Sequence, residues 1–516
     1  MFFLIAKKDF LLNIISARFI TGFLLCLIII PFTLVVSVDN YLNRDRIYKI
    51  EDKQAKEEFE TAKVYSGLRP TVVQKPEALS VFSNGISNNI GNKLKIKLGE
   101  YPLFPEGHVS TRDNPLLNVF FSIDFITVIA ILISLLALVF SYDAISRERE
   151  EGTMKLAFTG QMSRIMFLTG KITGLLLTLL PILLFCYLLG GLIIMLNPGI
   201  SLSPHDWMGL LLLFATSIVY MLVFILLGIF ISGLTKHSSA AIIISLLAWI
   251  WFLFLVPNIA TYLTQGFVKT ALYENVQKSI YDYNQEYYKQ KYEEKWTEFS
   301  KILNIDGISW WNYSGGDDGY EELSGGIKEM TRFHQMMNTW SEPVRIEYAD
   351  KKWAVQKDYF DQLMHQQRIQ QTLAWLSPSE IFTQTSDIIC RTDANTFSKY
   401  MESIRDYREE VIKYFVRNNL FNSYRYFTAQ PEDEFPTQQE LDDIESGKLK
   451  SSLSYGFNGW ERVTPLDKTG FPEYIQADFS LPAAMHQALG RMTALLGIAV
   501  ALLLGSIAVF MKYDLR

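Results

Sequence analysis

The sequence predicts an all-α polytopic membrane protein, with six crossing helices and a mostly helical extracytoplasmic domain, on three observations. Six apolar runs are each long enough to cross a hydrocarbon core, which takes about 17–25 helical residues. Two long polar stretches lie between the first and second runs and between the fifth and sixth. Between the second and third runs, Arg147 to Glu151 form five consecutive charges that cannot sit in hydrocarbon, where each costs roughly 2.5–3.5 kcal/mol. With 516 residues, 49% of them hydrophobic, the chain is too polar to be all membrane and too apolar for an ordinary soluble protein.

Residues 1–18 mix Phe2, Phe3, Leu4, Leu11, Leu12 and Ile15 with Lys7, Lys8 and Asp9, a pattern for a helix lying in the inner interface. A secretory signal is the rival reading. It fails because the next run, 19–38, is long enough to span and no small-residue cleavage site follows. Span 1 is therefore 19–38, with the N-terminus inside. From 39 to 115 the chain is polar, opening with Arg44, Arg46, Lys49, Glu51, Asp52 and Lys53, and it reads as a modest outer domain or half of one. Span 2 covers 116–142 and carries Ser122 and Asp124 near its outer end. An acid inside a membrane is a functional-site hypothesis; an acid at its interface is not, and the sequence leaves both open for Asp124.

The charged island, 143–166, follows. Leu156, Ala157, Phe158 and Met162 then return at helical spacing, so the segment can lie along the interface with its charged side towards water. Such a helix suits a solvated loop or a docking handle for a soluble partner. Span 3, 171–196, contains Pro181, a candidate bend. Asn197-Pro198-Gly199 turns the chain back into span 4, 207–234, and Lys236 and His237 mark a tight inner turn. Span 5, 240–256, carries Trp249 and Trp251 as an aromatic belt and ends at Pro257-Asn258.

The large extracytoplasmic domain, 259–485, is domain-sized. It opens with Val276, Ile280, Tyr283 and Tyr287, then Tyr288, Tyr292, Trp296, Phe299 and Leu303, each set in steps of three and four, a stripe for helix packing. Residues 312–326, rich in glycine, read as a loop; Asp317 and Asp318 fall far short of a calcium site. Ser377 caps a helix that starts at Pro378, with Glu380 near the capping-box position. Span 6, 490–511, precedes a tail, 512–516, that carries Lys512 and Arg516. Lys and Arg concentrate in the proposed inner segments, whereas the short outer loop at 197–206 has none. Both termini are thus placed inside, on the cytoplasmic face of a cell membrane.

The island resembles the signature between the second and third helices of ABC-2 type transporter permeases. The matching residues are Asp143, Ile145, Glu148, Arg149, Glu150, Gly152, Thr153, Ser163, Arg164, Gly170 and Lys171. A looser resemblance, to ABC-2 permeases with large outer segments, covers Trp375 to Phe382, then Arg391-Thr-Asp and the helical Phe397 to Tyr414. The resemblance implies a type V exporter-like architecture. It also implies that the island is a coupling helix resting on an ABC ATPase subunit, two copies of which would serve a homodimer or a pair with a sister permease. ATPase coupling then falls to Asp143, Arg147, Glu148, Arg149, Glu150, Gly152 and Thr153. Arg164 and Lys171 are expected to snorkel to lipid headgroups as interfacial anchors, and Gly152 to let the backbone turn or approach closely.

Several chemistries find no support. Gly170-Lys171 lacks the earlier glycine and the following Ser or Thr of a phosphate-binding loop, since Ile165 and Ile172 stand there, so ATP hydrolysis belongs to another chain. His108, His205, His237, His334, His365 and His486 show no metal spacing, and no Gly-x-Ser-x-Gly elbow occurs. Cys26, Cys186 and Cys390 make no disulfide or metal pattern, and a net charge of −6 without a basic run argues against nucleic acid. No catalytic residue, cofactor or metal is expected in this chain. The sequence therefore reads as a non-catalytic permease subunit exporting an amphipathic or lipid-linked substrate. The rival is an ATP-driven mechanotransmission complex, of the gliding-motility kind, acting on envelope proteins.

Overall fold

The computed structural model describes residues 2–86, 92–100, 123–158, 163–304, 313–316, 319–323, 328–429, 439, 443, 446–448, 463–475 and 481–512. Ser122 and the first part of span 2, Met162, His108, Asp317, Asp318 and the tail beyond Lys512 lie outside them.

Among the described residues, six helices are long and apolar enough to cross a membrane: Ala17–Thr61, Phe125–Glu150, Arg164–Met195, Pro204–Leu234, Ser238–Phe267 and Ala484–Met511. In chain order, α1 is Phe2–Ile14, α2 Ala17–Thr61, α3 Phe125–Ser141, α4 Ser146–Glu150, α5 Thr153–Phe158, α6 Arg164–Met195 and α7 Pro204–Leu234. Then come α8 Ser238–Ile250, a π-turn Trp251–Leu255 and α9 Val256–Phe267. The rest comprises α10 Tyr273–Tyr288, a second π-stretch Lys289–Lys295, α11 Trp296–Leu303, α12 Lys328–Leu373, α13 Pro378–Cys390, α14 Ala394–Arg417 and α15 Leu481–Met511. Two small hairpins complete it: β1 Thr71–Val73 with β2 Lys93–Lys95, and β3 Tyr313–Gly316 with β4 Gly319–Leu323. The second hairpin falls where the sequence reads as a loop.

The membrane bundle packs α7 against α3 and α15, α2 against α3 and α6, and α1 along α6. Ile129, Ile133, Leu179, Leu183, Phe224 and Leu495 are fully buried in its core. Close approach is built in at Gly228, where an added Cβ would lie 1.9 Å from Ser141 Oγ, so the α7 backbone packs directly on the Ser141 side chain of α3. Polar rungs cross the bundle: Tyr220 donates to the Ala130 carbonyl at 2.9 Å and Trp249 Nε1 to Ser134 Oγ at 2.8 Å. Helix α13, cushioned on α7 and α15, stacks Phe382 on Tyr220 with centroids 4.4 Å apart.

The helices differ in length from the apolar runs that mark the spans. The helix of span 1 does not end with the apolar run at residue 38, because α2 continues to Thr61. No Gly or Pro interrupts Phe32 to Thr61, and Asp45–Lys49 at 2.6 Å and Asp52–Lys56 at 2.7 Å support the exposed helix at the favourable i,i+4 spacing. Among the described residues of span 2, the helix begins at Phe125, capped by Asp124. Span 5 passes through Pro257 to Phe267, since the π-turn before it absorbs the missing backbone donor.

At one end of the bundle, both polar stretches build one body. Leu68, Val72, Leu94 and Ile96 from the first share a buried core with Phe397, Tyr400, Val411, Phe415 and Tyr426 from the second. The first stretch is thus part of a shared domain. The aromatic stripe of α10 and α11 packs on α12: Tyr287 lies 5.8 Å from Tyr348, and Trp296 4.7 Å from Phe333, centroid to centroid.

Candidate functional site

The charged island sits at the opposite end of the bundle, and its side chains are mostly turned inward onto helix ends. Helix α3 finishes at Ser141. Asp143, just beyond, is buried and pairs with Arg18 of α2 at 3.0 Å, while Arg18 also donates to Tyr142 Oη at 2.9 Å. Ser232 of α7 accepts from the backbone N–H of both Ile145 and Ser146 at 3.0 Å, supplying the cap that α4 lacks from its own sequence.

Arg149 points at the end of α7 and donates to the carbonyls of Thr235 at 2.8 Å and Gly233 at 3.3 Å. A cation at a helix C-terminus satisfies orphan carbonyls and complements the helix dipole. Glu150 does the converse at the start of α8, accepting from Ser238 N at 3.1 Å and Ser238 Oγ at 2.6 Å, with His237 Nδ1 at 3.2 Å. One short helix therefore clamps two neighbours by opposite charges at opposite helix ends.

Glu148 faces inward too. It lies 2.8 Å from Lys171 of α6 and accepts from Thr153 Oγ1 at 2.6 Å. Lys171 completes a three-way ionic clasp with Asp9 of α1 at 3.2 Å, and its side chain is only 8% exposed. The expectation that Lys171 snorkels to headgroups is thus corrected: two carboxylates hold its ammonium inside the protein. Burial lifts the Asp9 carboxyl above the usual range, and the Lys171 ammonium beside it opposes that rise. Arg164 likewise turns inward, donating to the carbonyls of Phe510 and Met511 at the end of α15 at 3.1 and 2.6 Å.

What remains outward is narrow. Arg147 and Glu151 pair at 2.8 Å, 63% and 51% exposed, beside exposed Gly152 and Thr153. Gly152 has φ +72° and open space where a Cβ would go, so it is needed for the turn between α4 and α5 and not for a close approach. Asp124 lies at the other end of the bundle, as the N-cap of α3. Its carboxylate accepts from Thr127 N at 2.8 Å and from Asn84 N at 2.9 Å, which ties the first polar stretch to the helix.

Sequence reasoning missed Asp9, Arg18, Ser232 and Ser238. Asp9 carried the one available signal, an acid in an otherwise apolar and basic helix; the serines carried none. Local spacing cannot show that Asp9 and Lys171, 162 positions apart, share a site.

Compared with known proteins, a family model described as ABC-2 family transporter protein matches residues 3–515. No curated protein matches the chain.

Proposed function

The chain belongs to the ABC-2 family of transporter proteins, and we propose that it is the permease subunit that couples ATP hydrolysis in a partner ABC ATPase to export of an amphipathic or lipid-linked substrate. One observation carries the coupling: the five-residue helix α4 is bonded to α6, α7 and the start of α8 at once, Asp143 just before it pairs with Arg18 of α2, and Arg147 and Glu151 form the edge most open to solvent. A push on that edge reaches four spans without crossing a flexible linker. The partner's movement on ATP binding would thus bias two packed arrangements of the bundle. Two ATPase copies, a homodimer or sister permease, cytoplasmic termini and a bacterial inner membrane complete the proposal.

Tagged chain isolated in mild detergent tests it. ATPase should copurify with the wild type and be depleted with Arg147→Glu/Glu151→Arg, which reverses the exposed pair and leaves the internal bonds alone. Copurification unchanged by the reversal would remove the island from the interface. Absence of any ATPase from the wild type would sink the coupling proposal.

A second reading, mechanotransmission to envelope partners, is favoured by α2, a single 45-residue helix running from the bundle into the distal body. Such a helix transmits displacement directly. Nucleotide-dependent movement of the body, with a bundle that stays sealed in every nucleotide state, would select this reading over export.

A further inference from the structure

At the body end of the bundle, α12, α13, the start of α14 and α15 surround a small, open-sided hollow of about 50 Å³. Arg368 and Gln371 line it from α12, Gln384 and Asp387 from α13, Asp393 from the cap of α14 and Arg491 from α15.

Arg491 is the unusual member. It lies one helical turn before Leu495 and two before Ala499, both buried, so it stands on the face of α15 that packs inward. A charged residue on that face of a crossing helix is costly and normally finds an opposite charge. Among the described residues it donates from Nε to Gln384 Oε1 at 3.4 Å and makes no ion pair. Gln384 is itself only 6% exposed. Two carboxylates line the same hollow without closing on the guanidinium. Asp393 is engaged in capping α14, through Asn395 N at 3.0 Å and Thr396 Oγ1 at 2.6 Å. Asp387 accepts from Ser83 Oγ at 2.5 Å on its far side. Two guanidiniums and two carboxylates thus line one hollow together with side-chain amides, and a group that carries both charges is their complement.

From this geometry we infer a binding site for a zwitterionic amine–phosphate group, with the phosphate beside Arg491 and Arg368 and the ammonium against Asp387. Gln384 and Gln371 offer both donors and acceptors for orientation. The group belongs either to the head of a lipid or to a free soluble zwitterion. The structure supports Asp387 in this role in a second way. Burial pushes its carboxyl up to about 7, with the nearby Asp124, Asp393 and Glu380 charges adding to the rise. The Ser83 hydrogen bond opposes it, Arg491 and Arg368 bring positive charge to the same hollow, and Cys390 is a further titratable neighbour. A ligand ammonium supplies the opposite charge that the ionised form lacks, so affinity should grow as the pH rises through neutrality.

That the bound group is cargo rests on the export reading above; that it binds does not. The experiment therefore measures binding to the full-length chain in detergent, by native mass spectrometry. The probes are short-chain phosphatidylethanolamine, short-chain phosphatidylglycerol and free phosphoethanolamine. Phosphatidylethanolamine should bind more tightly than phosphatidylglycerol, and Arg491→Gln and Asp387→Asn should each weaken it about tenfold, a loss of one ionic contact. Binding should strengthen from pH 6 to pH 8 in the wild type and be flat in Asp387→Asn. Free phosphoethanolamine binding equally well assigns the site to a soluble zwitterion, and its failure assigns it to a lipid head. Equal binding of the two lipids overturns the site, as does wild-type affinity in both variants. Should Arg491→Gln fail to fold, the near-isosteric Asp387→Asn decides alone. Intact binding without ATPase copurification would remove the export reading only; copurification without binding would remove this site only.

Discussion

Lys171 lies 2.8 Å from Glu148 and 3.2 Å from Asp9, so its charge is held by two carboxylates and hardly at all by water. Removing one partner of a buried ionic group strands the others. Lys171→Met should therefore cost about 3–5 kcal/mol of stability, whereas Lys171→Met combined with Asp9→Asn and Glu148→Gln should recover most of it. Thermal unfolding in detergent reads both; equal loss in the single and triple variants would show that packing of the lysine stem, not charge, matters there. Asp387 gives a pH test. An unfolded aspartate ionises near 3.9, and in the fold Asp387 is pushed up to about 7, so the folded chain holds the extra proton between those values. Its contribution is complete below the unfolded value and is lost as the pH climbs through 7. Asp387→Asn, neutral throughout, should melt above the wild type at pH 8, by a smaller margin at pH 5, and level with it only below about pH 3.9. The charged island was legible in the sequence because its residues are consecutive. The inward direction of Glu148, Arg149 and Glu150 was not, because each partner lies on a different helix.

Helix ends and interruptions follow the same logic on the scale of whole elements. Span 5 is the clearest case: proline after a long apolar run reads as a stop, yet the helix continues. In the π-turn, Val256 N–H bonds Trp251 O, so the next rung would run from Pro257 to the Phe252 carbonyl, and proline has no N–H to give. That carbonyl is satisfied from outside: Ser377 Oγ and Ser379 Oγ, at the start of α13, both donate to it, the latter at 3.0 Å. The sequence showed Ser377 as a helix cap, and it does accept from Glu380 N at 3.3 Å. It could not show the second duty, which fastens span 5 to α13. Ser377→Ala/Ser379→Ala should cost about 1–3 kcal/mol, the penalty for an orphaned buried carbonyl. In a Pro257→Ala background the restored N–H can fill the rung, and the loss should shrink. An additive result in that double-mutant cycle would disprove the tie.

Across the whole molecule, the six crossing helices were readable because hydrocarbon imposes length and composition on each run separately. The body was not, because its core joins residues more than 300 positions apart, and no local pattern says which polar stretch closes against which. Phe415 is where this can be tested. It is fully buried, 5.6 Å from Phe421 and 6.4 Å from Tyr426 between ring centroids, in the core that also takes in Val72 and Leu94 of the first hairpin. Phe415→Ala opens a cavity that should cost about 3–5 kcal/mol. If the two polar stretches form one cooperative body, amides of β1 and β2 should exchange faster together with those of α14. The amides of α3 and α7, in a separate core, should keep their protection. Loosening confined to α14 would mean that the first stretch is stable by itself and only rests against the second. The 45-residue α2 would then move a small independent module, and the body would not respond as a unit to what happens at the charged island.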